Sequence, residues 1–294
     1  MKQDRRRSIR RSHLKGTDIK ISVVIPSYNR KELLKRALLS VYAQSLQPAE
    51  VAVIDDGSTD GTDLMLRREF PQVNHTYQQN LGVSAARNLG IQQTTGDWLA
   101  FLDSDDEWLP EKLAMQKTAL SINPEHRVCH TEENWIRNGL PVDVPKKYAK
   151  TGGWIFSRCL PHCAMSPSTV LIHRSVFTDV GLFDTRLPAC EDYDLWLRIT
   201  ANYPVLLVDQ PQINKHGGHE DQLSMAFWGM DRFRISALQK IIANGQLSDL
   251  NQQAAVNMLV KKAGIYLNGV TKRGKTDEAS YYRQLIARYA MDVD

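Results

Sequence analysis

The chain has 294 residues, 42% of them hydrophobic and 24% charged, with a formal net charge of +4. That length suits one large α/β domain with an extension, and that composition excludes a disordered or collagen-like chain. No apolar run approaches the ~20 residues that span a bilayer, the N-terminus lacks the apolar middle of a secretory leader, and Cys129, Cys159, Cys163 and Cys190 are too few for a disulfide framework.

In chain order, residues 1–20 carry eight Lys/Arg against Asp4 and Asp18, a balance of +6 that leaves −2 for the rest. Such a run repels itself and reads as a flexible arm over residues 1–19. It is suited to peripheral contact with anionic lipid, or it only solubilises; the body behind it has no basic excess for specific nucleic-acid binding. A first apolar strand covers residues 21–25 and ends in Pro26, Ser27, Tyr28, Asn29 and Arg30. Leu33, Leu34, Ala37, Leu38, Val41 and Tyr42 then recur at a helical interval. A second strand, residues 51–54, runs into Asp55, Asp56, Gly57, Ser58, Thr59 and Asp60. Next comes a glycine-led helix start, Asn80, Leu81, Gly82 through Ala86, Arg87 and Asn88. A third strand, residues 98–102, opens into Asp103, Ser104, Asp105 and Asp106, before a helix from Pro110 for which Asp106 reads as the N-cap. Three carboxylates at the mouth of an apolar strand repel one another unless a cation sits between them. A hard divalent ion held by one or two of them plus substrate phosphates answers that, and the ends of such strands are where open α/β sheets place their crevice.

From residue 121 to 167 the pattern loosens into a Pro- and Gly-punctuated stretch that reads as a variable binding surface. A strand follows over 168–173, a helix over 191–203 with Leu195, Trp196 and Ile199 inward and Glu191 and Asp192 in its first turn, and a strand over 205–208. His216 and His219 flank Gly217 and Gly218; beyond residue 221 three amphipathic helices are expected, over 230–243, 249–270 and 277–290. Their apolar stripes must bury on the body, in a homodimer or at a membrane surface. Cys159-Leu160-Pro161-His162-Cys163 lacks a second ligand pair at zinc spacing and is not read as a metal site.

Taken together, Val24 to Arg30, Asp55 to Asp60, Asn80-Leu81-Gly82 with Ala86-Arg87-Asn88, Phe101 to Asp106, and Glu191 to Arg198 resemble glycosyltransferase family 2 in order and spacing, over about residues 20–222. The resemblance implies the GT-A nucleotide-diphospho-sugar fold, an α/β architecture with a Rossmann-like, mostly parallel sheet flanked by helices, here with a helical C-terminal appendage. It implies a nucleotide-sugar-binding half (20–120), an acceptor-binding half (121–222) and the appendage (223–294). The implied activity is metal-dependent, inverting transfer of a hexosyl or N-acetylhexosaminyl group from a nucleotide-diphosphate sugar, a UDP-sugar by family frequency. The acceptor would be a saccharide or lipid-linked hydroxyl compound of cell-surface glycan synthesis, and the location cytoplasmic, at most peripheral to the inner membrane face.

By the same resemblance, Pro26, Tyr28, Asn29, Arg30, Asp56, Gly82, Arg87, Asn88, Asp103 and Ser104 bind the donor, with Tyr28 against the nucleobase and Asp56 accepting from a base N–H. Asp105, with Asp103, holds Mn²⁺ or Mg²⁺, and a histidine near His219 or His216 approaches the metal or diphosphate. Asp192, with Glu191 beside it, supplies the base: a helix N-terminus favours its ionised form and neighbouring acids make it more basic. Sugar-nucleotide nucleotidyltransferases share the fold type but carry a glycine-rich basic loop where this chain has Pro26 to Arg30. A third reading is a non-catalytic body whose basic arm grips membrane or nucleic acid.

Overall fold

The computed structural model describes residues 19–218 and 227–290. The basic arm before Ile19, His219 and the segment up to residue 226 lie outside the described residues.

Four strands run parallel in the first half: β1 (Ile21–Ser27), β2 (Glu50–Asp55), β3 (Asn74–Tyr77) and β4 (Trp98–Phe101). The next two are β5 (Glu107–Trp108) and β6 (Val128–Arg137), which turns back through β7 (Leu140–Val142). The last two are β8 (Leu171–His173) and β9 (Leu206–Gly217). The sheet order is β3-β2-β1-β4-β8-β6-β9-β5, with β8 antiparallel to both β4 and β6 and with β6 and β9 parallel. Helices α1 (Lys31–Tyr42), α2 (Thr62–Glu69), α3 (Val83–Gln93) and α4 (Lys112–Ile122) belong to the first half. Then follow α5 (Phe156–Cys159), α6 (Ser175–Val180), α7 (Glu191–Asn202), α8 (Asp231–Ala243), α9 (Asp249–Lys272) and α10 (Thr276–Ala290).

The strands read as near-continuous apolar runs because both faces of the sheet are covered. Alternate residues feed two cores. Ile21, Val23, Ile25, Val51 and Val53 meet Leu34, Leu38 and Leu66 of α1 and α2, with Leu113 of α4. Val24, Leu99, Phe101 and Ile172 face Ile91 of α3, Phe177 of α6, Trp196 of α7 and the C-terminal helices. Helix α3 lies close on β1 because residue 90 is glycine: a Cβ there would stand 2.3 Å from Val24 Cγ1.

The α/β class, the parallel first half and the three C-terminal helices match the sequence reading. Within 121–167, however, stands the ten-residue strand β6, where loops were expected. The expected strand over 168–173 is a short turn, Pro167–Thr169, followed by three strand residues. Strand β9 runs nine residues past the expected end of 208, and β3 and β5 were not anticipated. The C-terminal helices bury their stripes on the body: Ala237, Ile241, Val256, Leu259 and Ala263 join the same core as Phe101 and Trp196.

Candidate active site

A cleft of about 710 Å³ opens at the C-terminal ends of β1, β2 and β4, within the size range of small-molecule sites. Its wall gathers the loop after β1, the turn before α3, the aspartates after β4, the start of α7 and the end of β9. Pro26, Tyr28, Asn29, Arg30, Asp56, Gly82, Arg87, Asp103, Ser104, Asp105, Glu191 and Asp192 all line it, as does His216.

The loops are tied to one another by their own polar groups. Asn29, at φ 50°, takes a hydrogen bond from the Thr59 amide to its Oδ1 at 2.7 Å and donates its own N–H to Ser58 Oγ at 2.8 Å. A short polar side chain tolerates this left-handed conformation. Asp56 accepts from Gln78 Nε2 (2.6 Å) and from the amides of Leu81 (2.8 Å) and Gly82 (2.9 Å). Its carboxylate thus fastens the turn that leads into α3, whose first residue follows Gly82 at φ +88°. Tyr28, 47% exposed, presents its ring to the cleft.

Arg87 joins the two acidic motifs. From α3 its Nη1 donates to Glu191 Oε1 and its Nη2 to Asp103 Oδ1, both at 2.7 Å, and its guanidinium lies 5.2 Å from the Phe183 ring centroid. Burial works against its charge, but the two carboxylates outweigh it and hold its pKa above the ordinary arginine value. Glu191 is buried; burial first, then the charge of Asp192, raises its pKa, with Arg87 opposing. Asp192 is partly exposed to the cleft; its Oδ1 accepts from the Tyr193 amide at 2.7 Å and its Oδ2 from the Cys163 thiol at 2.9 Å. Of the two acids, Asp192 is the one partly open to the cleft, and Glu191 anchors an arginine.

The turn after β4 is held from below. Asp105 pairs with Arg30 at 3.0 Å. Asp106 is not the cap of α4, which begins at Lys112 behind Glu111 with no side-chain cap. Its carboxyl instead accepts from Ser168 Oγ (2.6 Å) and the His216 amide (3.0 Å), joining the turn to the short Pro167–Thr169 turn of the second half and to β9. Burial, then the negative charges of Asp105 and Asp103, push its pKa well above the ordinary aspartate value. Asn88 also departs from the expected donor role, because its amide is spent on the backbone of Phe183, donating to the carbonyl at 2.9 Å and accepting from the N–H at 3.0 Å. His216 bonds to Glu107 Oε2 at 2.6 Å through Nε2, while His219 falls outside the described residues.

Cleft residues that the sequence did not mark as candidates include Lys215, Met230 and Arg234. Lys215 donates to Ser166 Oγ at 2.8 Å, and Glu133 and Asp106 raise its pKa against the effect of burial. Arg234, from α8, pairs with Asp231 at 3.0 Å. Only Lys215 had a local signal, since it stands two residues from the noted Gly217 in an extended polar run.

The acidic turn suits a hard cation. Asp103 and Asp105 offer oxygen donors to the cleft, the donor chemistry that a hard divalent ion takes. Among the described residues no group of three or more His, Cys, Asp or Glu side chains is arranged to hold an ion alone, so substrate oxygens would have to complete any coordination. No described helix is long and apolar enough to cross a membrane.

Residues 22–139 match the family model described as glycosyl transferase family 2, and residues 144–247 match one described as glycosyltransferase like family 2. The uncharacterized glycosyltransferase YwdF of Bacillus subtilis is 30% identical over 193 residues, 64% of this chain and 70% of that protein. The amylovoran biosynthesis glycosyltransferase AmsB of Erwinia amylovora is 29% identical over 216 residues, 68% of this chain and 70% of that protein. Against several Rickettsia relatives the match spans only 27% to 60% of their length. Among solved structures, S. aureus TarS 1–349 in complex with UDP-GlcNAc superposes with a TM-score of 0.70 at 22% identity, over 94% of this chain and 82% of that one. At that identity the likeness speaks for the fold.

Proposed function

The chain belongs to glycosyltransferase family 2, and from that premise we propose that it transfers a glycosyl group from a UDP-sugar to a hydroxyl of a cell-surface glycan or lipid-linked saccharide. The observation that carries this reading is the meeting, in one cleft, of the Asp103–Asp105 turn and Asp192, tied together through Arg87 and Glu191. The donor nucleotide is supported by the UDP-GlcNAc complex of the fold neighbour, and the polysaccharide setting by the printed role of AmsB.

In this reading Tyr28 stacks on the nucleobase, while the Asp56-fastened turn shapes the adjoining wall. Asp105 and Asp103 would hold a divalent cation, Mn²⁺ or Mg²⁺, which when bound supplies Lewis-acid neutralisation of the departing diphosphate. Arg87 keeps Asp103 at its post and fixes the first turn of α7, so that Asp192 points into the cleft. The acceptor oxygen attacks the anomeric carbon as the bond to the diphosphate oxygen breaks, and Asp192 takes the hydroxyl proton. A single displacement of this kind inverts the anomeric centre. The thiol and amide hydrogen bonds to Asp192 hold its rotamer, which is what proximity in a proton transfer requires.

A thermal-shift panel of UDP-, GDP- and dTDP-sugars, with and without Mn²⁺, tests the reading. UDP-sugars should raise the melting temperature, more so with metal, because a ligand bound only by the native state stabilises it by mass action. A melting temperature indifferent to every nucleotide-sugar contradicts it.

A further inference from the structure

Behind Asp192 the chain changes electrical character. Residues 144–178 contain five Lys/Arg and no Asp or Glu. Within this stretch His162 stands next to Cys163, whose thiol donates to Asp192. Four cations bear on the His162 ring: Arg158 and Lys147 from its own segment, Lys262 from α9 and Arg234 from α8. Burial first, then these charges, lowers the His162 pKa, which favours the neutral ring beside them. Lys262 reaches the Pro161 carbonyl at 2.8 Å, which brings α9 against the same segment.

The compensating charge is small. Among the described residues, Asp231 is the carboxylate that serves this group, shared by Arg234 at 3.0 Å and Lys262 at 3.2 Å. Lys147 and Arg158 are exposed and make no ion pair there: Arg158 donates to the Ala149 carbonyl at 3.2 Å, and Lys147 lies 4.8 Å from the Tyr148 ring centroid. Rings run alongside, with Trp135 and Tyr148 at 5.3 Å and Tyr148 and His162 at 5.0 Å between centroids.

We propose that this basic, ring-lined surface is an acceptor subsite for a saccharide bearing anionic groups, phosphate or carboxylate, whose hydroxyl is presented to Asp192. The proposal rests on the glycosyltransferase reading and adds the acceptor class to it. Clustered cations with one shared carboxylate repel one another, and an anion relieves that repulsion while being steered in by the field. Aromatic faces supply the apolar contact that the C–H face of a sugar ring can cover. The surface comes from the segment between β7 and β8, Trp135 of β6 and the C-terminal helices, whereas the putting in place of the donor falls to the loops after β1, β2 and β4. The two sources of charge, phosphate and uronate, share this chemistry and are separated by experiment.

The test is binding of the full chain to immobilised oligosaccharides in matched neutral, uronate and phosphorylated forms, for the wild type and a Lys147→Glu/Arg158→Glu double variant. Both positions are exposed, so the melting temperature should hold. The wild type should bind one or both charged forms about tenfold more tightly than the neutral form, a gap that the double variant closes and that shrinks in high salt. Equal binding of neutral and charged forms, or a double variant that behaves as wild type, overturns the proposal. So does double-variant-sensitive binding to anionic vesicles without preference for any charged oligosaccharide, which would make the surface a membrane contact. Donor binding is read separately by the thermal shift: loss of that response counts against the transferase reading, and loss of charge preference against the subsite alone.

Discussion

Arg87 is the residue on which the cleft is hung. Its guanidinium is 4% exposed and bonds Asp103 with one nitrogen and Glu191 with another. Replacing it with alanine leaves buried carboxylate without a partner, so Arg87→Ala should lose about 3–5 kcal/mol in urea unfolding. Arg87→Lys keeps the charge but not the fork that serves two acids at once, and should fold with weakened donor binding; a lysine variant with wild-type donor affinity would show that the fork does not matter. Asp105→Ala should abolish the metal-dependent part of the donor thermal shift while keeping the melting temperature of the unliganded protein, and an unchanged Mn²⁺ response would remove Asp105 from the cation's coordination. That Asp103, Asp105, Asp192 and Arg87 line one cleft was legible in the sequence, because they stand at strand ends and near the starts of helices, but the pairing of Arg87 with both Asp103 and Glu191 was not. Asp106 was misread because its partners, Ser168 and His216, lie 62 and 110 residues away and only folding brings them together.

At the scale of the element, β6 explains both a missed strand and a pH response. Val128 and Cys129 are apolar, but His130, Thr131 and Glu133 follow, buried and polar, and register shifts break the alternation that identifies a strand. Burial works to raise the Glu133 pKa, yet Lys215 and Lys150 dominate and bring it down to about 2 from an ordinary 4.5. A carboxylate depressed in this way contributes stability above its unfolded pKa, and that contribution is lost as pH falls from 4.5 towards about 2. His130 adds to the same trend over a higher range: burial lowers its pKa from 6.5 to about 3, so the unfolded chain binds this proton first and stability is lost as the pH falls from 6.5 towards about 3. Unfolding free energy should therefore decline on acidification, and Glu133→Gln should flatten the part below pH 4.5. A pH profile of that variant parallel to wild type would show that the buried ion pairs do not set the slope. By contrast, β1, β2 and β4 were readable because both their faces are apolar and their ends carry the polar loops.

Over the whole molecule, the C-terminal helices are part of the core and part of the cleft. Their periodicity was plain in the sequence, but docking alone determines that Met230 and Arg234 reach the site. Leu238, Leu259 and Ala263 are fully buried in the core that contains Trp196 and Phe101. Truncation after Ser224 should uncover that face and give an aggregating protein, as seen by size exclusion; a monodisperse monomer with an unchanged melting temperature would show the helices to be a separable module. The central claim, that this cleft runs base-assisted glycosyl transfer through Asp192, is tested most directly by measuring nucleoside-diphosphate release from the UDP-sugar that gives the largest thermal shift, with donor affinity measured in parallel. Asp192→Asn should bind that donor as wild type does and release the diphosphate about 10²–10⁴-fold more slowly, whereas an Asp192→Asn enzyme with undiminished turnover, especially beside a crippled Glu191→Gln, would contradict the account.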